Sequence, residues 1–352
     1  MRASLKDIAE YTGLSKSAVS MHLNKHQLAA RLSSATRAKI DAAVKKFNYV
    51  PSYTARALSS GKTQTVGFVV AELAMPYNSL MASSLIDETS KHNVQLLISA
   101  TKYSPEKETK CLEDLLSRRA DGIIYPLSPP SADAKLYNRL IEENYPLVMA
   151  FNQDKNFHSV MKDSTEAMRQ AVAFFRKSGA EEITIIANRN TLFASAGEKM
   201  HDLFVKACEE SGCKPDTEPV DFLDASTIDS CLERIIRNPP DFMIVQGPLL
   251  MTVLKHKLHR IKNKLPRIIN VIDNWEPPPL RDEILVGVIM CYPDKIIKTA
   301  VDILLRLINK PEDGSFPLLV KEPADFLLSW PGDSCENTID EIKRLMGYCA
   351  SN

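Results

Sequence analysis

The sequence predicts an all-α helix-turn-helix head joined to an α/β body of two doubly wound parallel-sheet lobes. Three observations carry this expectation. Charge is split between the start of the chain and the rest, the first fifty residues repeat apolar positions at helical spacing, and the remainder alternates apolar runs with amphipathic segments twice over.

The chain has 352 residues, 44% hydrophobic and 25% charged, so two to three domains with a sizeable core are expected and wholesale disorder is excluded. No run of 18 apolar residues exists, which excludes a membrane-spanning helix. Lys6, Asp7 and Glu10 break the N-terminus as a secretory signal. The seven cysteines (Cys111, Cys208, Cys213, Cys231, Cys291, Cys335 and Cys349) are scattered without a CxxC pair. That pattern fits free thiols in a reducing cytosol rather than a disulfide frame.

The formal net charge of zero hides an asymmetry. Residues 1–64 hold eleven Lys/Arg and three acids, whereas the remainder holds 33 basic and 41 acidic residues. A basic module for a polyanion, joined to a body that avoids it, is the expected organisation.

Within the head, Leu5, Ile8, Ala9 and Thr12 recur at helical spacing behind Ser4 and Asp7, a capping-box-like start. Gly13 ends that helix. Ser15 begins a second helix over 16–23, with Val19 and Leu23 inward and Leu14 before it. A third follows Ser33, with Thr36, Ile40, Ala43, Val44 and Phe47 as its stripe. Two short helices around a glycine turn, then a packing helix, form a helix-turn-helix. Lys16, Ser17 and Met21 point away from the core, where base edges are read. By periodicity alone, a plain basic three-helix bundle fits equally well.

The segments SLKDIAEYTGLSKSAVSMHLN and LSSATRAKIDAAVKKFNYVPSYTARALSSGKTQTVGFVV carry more information. They resemble the lactose/galactose-repressor (LacI/GalR) family of bacterial transcriptional regulators, strongly over residues 4–70 and more loosely afterwards. Pro51 fixes the chain leaving the head. The next eight residues, 52–59, form at most two turns of helix, too short to stand alone in water. The resemblance implies a hinge that folds against its dimer mate on DNA, with Leu58 as a minor-groove wedge and Ala55 letting the two hinges approach. Gly61-Lys62-Thr63 lacks the earlier glycine of a phosphate loop and is a linker. The DNA-binding set is Ser4, Lys6, Ser15, Lys16, Ser17, Ser20, Met21, Asn24, Thr36, Tyr49, Ala55 and Leu58. Lys16 and Ser17 are the candidates for hydrogen bonds to bases, whereas Asn24 and Thr36 are phosphate or capping groups. Met21 stands where the family often has arginine and offers only apolar contact, as to a thymine methyl.

In the body, apolar runs at Thr65–Val70, Val94–Ile98, Gly122–Tyr125 and Leu147–Phe151 form one series. Runs at Ile183–Ile186, Phe242–Val245, Ile268–Ile272 and Val286–Met290 form a second. Continuous apolar strands separated by amphipathic helices indicate parallel sheets covered on both faces, and ligands of such sheets bind beyond the strand carboxyl ends. The resemblance implies a periplasmic-binding-protein-like body with a small-molecule effector between lobes and three passages, near residues 162, 291 and 322. The expected divisions are a head at 1–49 and a hinge and linker at 50–63. A first lobe at 64–161 with about 292–321 and a second at 162–291 with about 322–332 follow, then a tail at 333–352.

The cleft departs from the family pattern. Aligning Leu203-Phe204 with the family's G-F pair places Met200 at the usual arginine, and the usual Asn-Asp falls on Gly247-Pro248. Asp273-Asn274 and Asp221-Phe222 survive, and the family's N-P-F-F loop reads Met75-Pro76-Tyr77-Asn78. The effector-binding set is Tyr77, Asn78, Met200, Phe222, Gly247, Asp273 and Trp275. Its aromatic faces remain while most of the polar clamp that sugar hydroxyls require does not. A common free hexose is therefore not the expected effector, with Lys199 or Arg189 available to replace the lost cation.

No HExxH, complete phosphate loop, GxSxG or dinucleotide fingerprint appears, so neither an enzyme nor a cofactor is expected. His256 and His259 lack neighbouring Cys, Asp or Glu and fit a solvated face better than a metal site. After Pro331, Thr338 and Glu341 make a capping box before Ile339, Ile342, Leu345 and Met346. That tail is too short for a multi-heptad coiled coil, so a homodimer rather than a tetramer is expected.

The expected function is a repressor-type regulator in the bacterial cytoplasm, at the nucleoid. It is a homodimer on double-stranded operator DNA, modulated by a sugar or sugar derivative. The alternative is an effector-independent regulator with a degenerate cleft. A sugar receptor without gene control would show an export signal and no basic head, the reverse of this chain.

Overall fold

A computed structural model describes residues 3–23, 27–49, 61–74, 76–126, 133–192, 199–221, 224–258, 265–273, 284–309 and 318–328. The hinge, including Ala55 and Leu58, and the tail helix lie outside the described residues. Contacts divide the chain into one unit of residues 1–65 with 119–121 and a second containing the rest.

In the first unit, α1 (Leu5–Thr12) begins with a complete capping box: the Ser4 N–H donates to Asp7 Oδ2 at 2.7 Å and the Asp7 N–H to Ser4 Oγ at 3.3 Å. Gly13 ends it at φ 64°, with Leu14 N–H donating to the Ala9 carbonyl at 3.0 Å. That left-handed residue closes the helix with its last carbonyls paired and turns the chain toward α2 (Lys16–Leu23). Ser15 Oγ accepts the Ala18 N–H at 3.1 Å at the start of α2. A 3-10 turn (Gln27–Arg31) precedes α3 (Ser34–Lys46), capped by Ser33. Ile8, Ala9, Val19, Ile40 and Ala43 form the core, with Phe47, one residue past α3, packed against it. At the other end of this unit, Thr63 donates its N–H to Asp121 at 2.8 Å and its hydroxyl to the Arg119 carbonyl at 2.7 Å.

In the second unit, the first lobe alternates β1 (Thr65–Val70), α4 (Pro76–Lys91), β2 (Gln95–Ala100), α5 (Pro105–Ser117), β3 (Gly122–Tyr125), α6 (Ala134–Glu142), β4 (Leu147–Ala150) and β5 (His158–Asp163). The second lobe continues with α7 (Thr165–Lys177), β6 (Glu182–Asn188), a single turn (Arg189–Leu192), α8 (Met200–Ser211) and β7 (Lys214–Val220). It is completed by α9 (Ala225–Arg237), β8 (Phe242–Gln246), α10 (Pro248–Leu258), β9 (Arg267–Asp273) and β10 (Leu285–Cys291). Then α11 (Pro293–Asn309) and β11 (Leu319–Pro323) rejoin the first lobe, and β12 (Asp325–Leu327) the second.

The sheets run β11-β5-β4-β3-β1-β2 and β12-β10-β9-β8-β6-β7. The pairs among β11, β5, β4, β3 and β1 are parallel, as are those among β7, β6, β8, β9 and β10; β12 joins antiparallel. Strand order reverses at β1/β3 and at β6/β8, the points where open α/β sheets leave a crevice. The chain passes between lobes at residues 163–165, 291–293 and 323–325. β1, β3 and β4 are buried throughout, which is why they read as unbroken apolar runs. Phe68, Leu85, Ile124 and Ile297 centre the first-lobe core, and Phe175, Phe204, Ile185 and Ile269 the second. No described helix is long and apolar enough to cross a membrane.

Candidate nucleic-acid interface and effector cleft

Val19 anchors α2 in the head core, which leaves Lys16 and Ser17 exposed and Ser20 and Met21 half-buried. Each acid of the described head has a partner. Asp7 meets Ser4, Glu10 lies 3.5 Å from Lys6, and Asp41 Oδ1 lies 2.8 Å from His22 Nε2. The Ser4 N–H and hydroxyl hold the Asp7 carboxyl below its ordinary range. Lys16, Arg37, Lys39 and Lys45 remain exposed, an excess of positive charge of the kind phosphate backbones attract.

Several sequence-predicted DNA residues have structural duties. Ser4 and Ser15 cap α1 and α2, and Thr36 closes the α3 cap, its hydroxyl 2.8 Å from Ser33 Oγ. Tyr49 packs against the head core. Asn24 lies outside the described residues. Sequence reasoning missed Lys46, whose Nζ stands 4.3 Å from the Tyr11 ring centroid and donates to the Tyr11 hydroxyl at 3.1 Å. Its signal was the spacing from Tyr11, which no single-helix period reveals.

At the strand carboxyl ends of the first lobe, Tyr77 is 38% exposed and meets the Phe151 ring edge-on, centroids 5.9 Å apart. Phe151, absent from the predicted set, adopts φ 68°, a left-handed conformation that bulky residues rarely hold. Its N–H donates to the Val160 carbonyl at 2.7 Å, and Asn152 Nδ2 donates to the Pro126 carbonyl at 2.6 Å. Asn78 gives its amide to the Glu72 carbonyl at 2.7 Å, and Glu72 pairs with Lys102.

In the second lobe, Gln246 Oε1 accepts the Asn188 N–H at 2.9 Å. Gly247 turns at φ 80°, with Asn270 Nδ2 donating to its carbonyl at 3.1 Å. Asp273 ends β9, where burial pushes its carboxyl above the ordinary range and the charge of Lys162, on β5 of the other lobe, works against that rise. Met200, named in the expected effector set, begins α8. It is 1% exposed inside the second-lobe core with Phe204 and Leu192, because the apolar stripe of α8 turns it inward. Phe222 and Trp275 lie outside the described residues.

Among the described residues no three His, Cys, Asp or Glu side chains group as metal ligands, and His259 lies outside them. Cys111, Cys208, Cys213, Cys231 and Cys291 are free thiols; burial pushes Cys208 up to about 12 and Cys231 up to about 11. Such protonated sulfurs are poor nucleophiles.

Two family models match the chain: bacterial regulatory proteins of the lacI family over residues 4–52, and the periplasmic binding proteins and sugar binding domain of the LacI family over residues 63–245. A probable HTH-type transcriptional regulator, EndR, of Paenibacillus polymyxa is 29% identical over 53% of this chain and 54% of its own length. Catabolite control protein A of Staphylococcus epidermidis is 29% identical over 55% and 58%. The chain thus aligns with about half the length of these curated relatives. Among solved structures, the lac repressor dimer bound to operator and the anti-inducer ONPF shares the fold with TM-score 0.73 at 19% identity, over 93% of this chain and 98% of that one. The Cra transcriptional dual regulator of Pseudomonas putida, in complex with fructose 1-phosphate, does so with TM-score 0.60 at 19% identity, over 76% and 99%. With one model matching the head over residues 4–52 and the other the body over residues 63–245, the chain belongs to the LacI family of bacterial regulatory proteins.

Proposed function

We propose that this protein is a dimeric, sequence-specific transcriptional repressor of the bacterial cytoplasm. The observation that carries this reading is the exposure of Lys16 and Ser17 on α2, with Met21 half-buried beside them, in a head whose described acids are all partnered and whose Lys16, Arg37, Lys39 and Lys45 are exposed. Phosphate contacts supply most of the affinity, and α2 with Leu58 of the hinge supplies register and sequence choice. Exposed Leu80 and Ile86 on α4 and Ile98 on the edge strand β2 support pairing of two bodies through the first lobe. Selection from random duplex DNA tests the reading. A pseudo-palindromic site whose half-sites favour thymine opposite Met21 is expected, and recovery of no preferred sequence overturns it.

The crevices at β1/β3 and β6/β8 are read as the seat of a small effector, with Tyr77 and Phe151 offering an aromatic face. A second reading, regulation without an effector, is favoured by one observation: Asn78, Asn152 and Gln246 already bond within the protein. Thermal shift against a metabolite panel separates the two, since a ligand at 100 times its Kd adds about 2.7 kcal/mol. An ordinary free hexose that binds tightly would overturn the expectation of a non-hexose effector.

A further inference from the structure

The last residues of the linker are fastened before the first sheet begins. Thr63 donates its N–H to Asp121 Oδ1 at 2.8 Å and its hydroxyl to the Arg119 carbonyl at 2.7 Å, and the same hydroxyl lies 2.6 Å from Thr65 Oγ1. In return the Asp121 N–H donates to the Thr65 carbonyl at 2.8 Å. Residues 63–65 lead into β1 and residues 119–121 into β3, whose first registered pair is Val66 and Gly122. The ladder alone therefore stops short of Thr63, and the Asp121 side chain carries the pairing into the linker. Contacts group residues 119–121 with the head and linker rather than with the body. Each segment holds one non-glycine residue in the left-handed region, Gln64 at φ 49° and Arg119 at φ 56°. Both side chains are exposed, so the hydrogen bonds on either side, not side-chain packing, fix that backbone.

We infer that Asp121 is a positioning residue for operator recognition: by holding Thr63 it fixes where free chain begins, and so selects the half-site spacing that paired heads accept. Releasing Thr63 and Gln64 adds two residues of free chain per protomer, up to about 7 Å of reach. One base-pair step is about 3.4 Å, so the clamp is large enough to set spacing to the base pair. The inference rests on the reading of this chain as a dimeric repressor.

The test uses the full chain and duplexes carrying two copies of the half-site recovered by selection, at centre spacings varied one base pair at a time. Wild type is expected to prefer one spacing, with affinity falling about ten-fold one base pair away. Asp121→Ala should cut that preference to about two-fold and leave affinity for random duplex, which reads charge alone, unchanged. Thr63→Val, which loses only the hydroxyl, should flatten the preference in the same direction. Asp121→Asn, which keeps an accepting oxygen, should resemble wild type. The double variant Asp121→Ala/Thr63→Val should be no flatter than Asp121→Ala. A wild-type preference retained by both single variants overturns the inference, and so does an equal loss at every spacing, which a merely structural role predicts. If wild type itself shows no preferred site, the regulatory reading falls and the inference with it. Amide exchange at Thr63, read without DNA, should quicken in Asp121→Ala and stay slow in Asp121→Asn; unchanged exchange in Asp121→Ala overturns the clamp alone.

Discussion

His22 on α2 and Asp41 on α3 face each other with Nε2 and Oδ1 2.8 Å apart, joining α2 to the helix that packs behind it. The His22 side chain is largely buried while Asp41 stands in solvent. The pair is therefore screened on one side and contributes under about 1 kcal/mol. Asp41→Ala should lower operator affinity about two- to five-fold, the equivalent of that energy, without unfolding the head. Titration by fluorescence anisotropy checks this; an unchanged affinity would show that α2 is held by Val19 and its apolar neighbours alone.

The capping box of α1 carries a pH dependence with a defined sign. Hydrogen bonds from Ser4 hold the folded Asp7 carboxyl below its ordinary value of 3.8. The contribution is present above that value and disappears as pH falls through the lower folded one. Helical signal of the head should be lost earlier on acidification in Asp7→Asn than in wild type. Ser4→Ala should cost about 1 kcal/mol near neutrality. Circular dichroism between pH 7 and pH 2 measures both, and superimposable acid curves would contradict the cap.

Met200 separates packing from ligand contact. Met200→Ala should cost about 2–5 kcal/mol in urea unfolding, as buried truncations do. Met200→Arg, which places at this position the arginine that the family resemblance implies, should destabilise further because its charge enters an apolar core. A folded Met200→Arg protein that gained sugar binding by calorimetry would place the side chain in the crevice instead.

Self-association through the first lobe is tested at Ile86, which is 48% exposed on α4. Ile86→Glu should convert a dimer into a monomer in sedimentation at micromolar concentration and reduce operator affinity, with the thermal midpoint little changed. A dimer that persists would move the interface elsewhere.

Much of this architecture is legible in the chain because burial on both faces leaves a simple trace. β1, β3, β4 and β8 read as apolar runs with nearly their observed bounds. The strands that escaped reading are β5, β7, β11 and β12, none of which is an unbroken apolar run. β7 carries Pro215 and Pro219 at a sheet edge, where a missing donor is tolerated, and β12 is three residues long. In the head, Ser4, Gly13, Ser15 and Ser33 each show their role locally, since caps act within three or four residues. The crevice is less legible. Phe151 and Lys102 reach their partners across the fold, and Met200 is turned inward by the phase of α8, which the alignment of one dipeptide did not convey.

The central claim is that the basic head grips duplex DNA. Its most direct test compares operator binding by the full chain and by a chain lacking residues 1–60, across 50–200 mM salt. The full chain should bind specifically, with affinity falling about 10³- to 10⁵-fold over that range if it makes six to ten phosphate contacts, and the shortened chain should not bind at all. Equal, specific binding by both would contradict it.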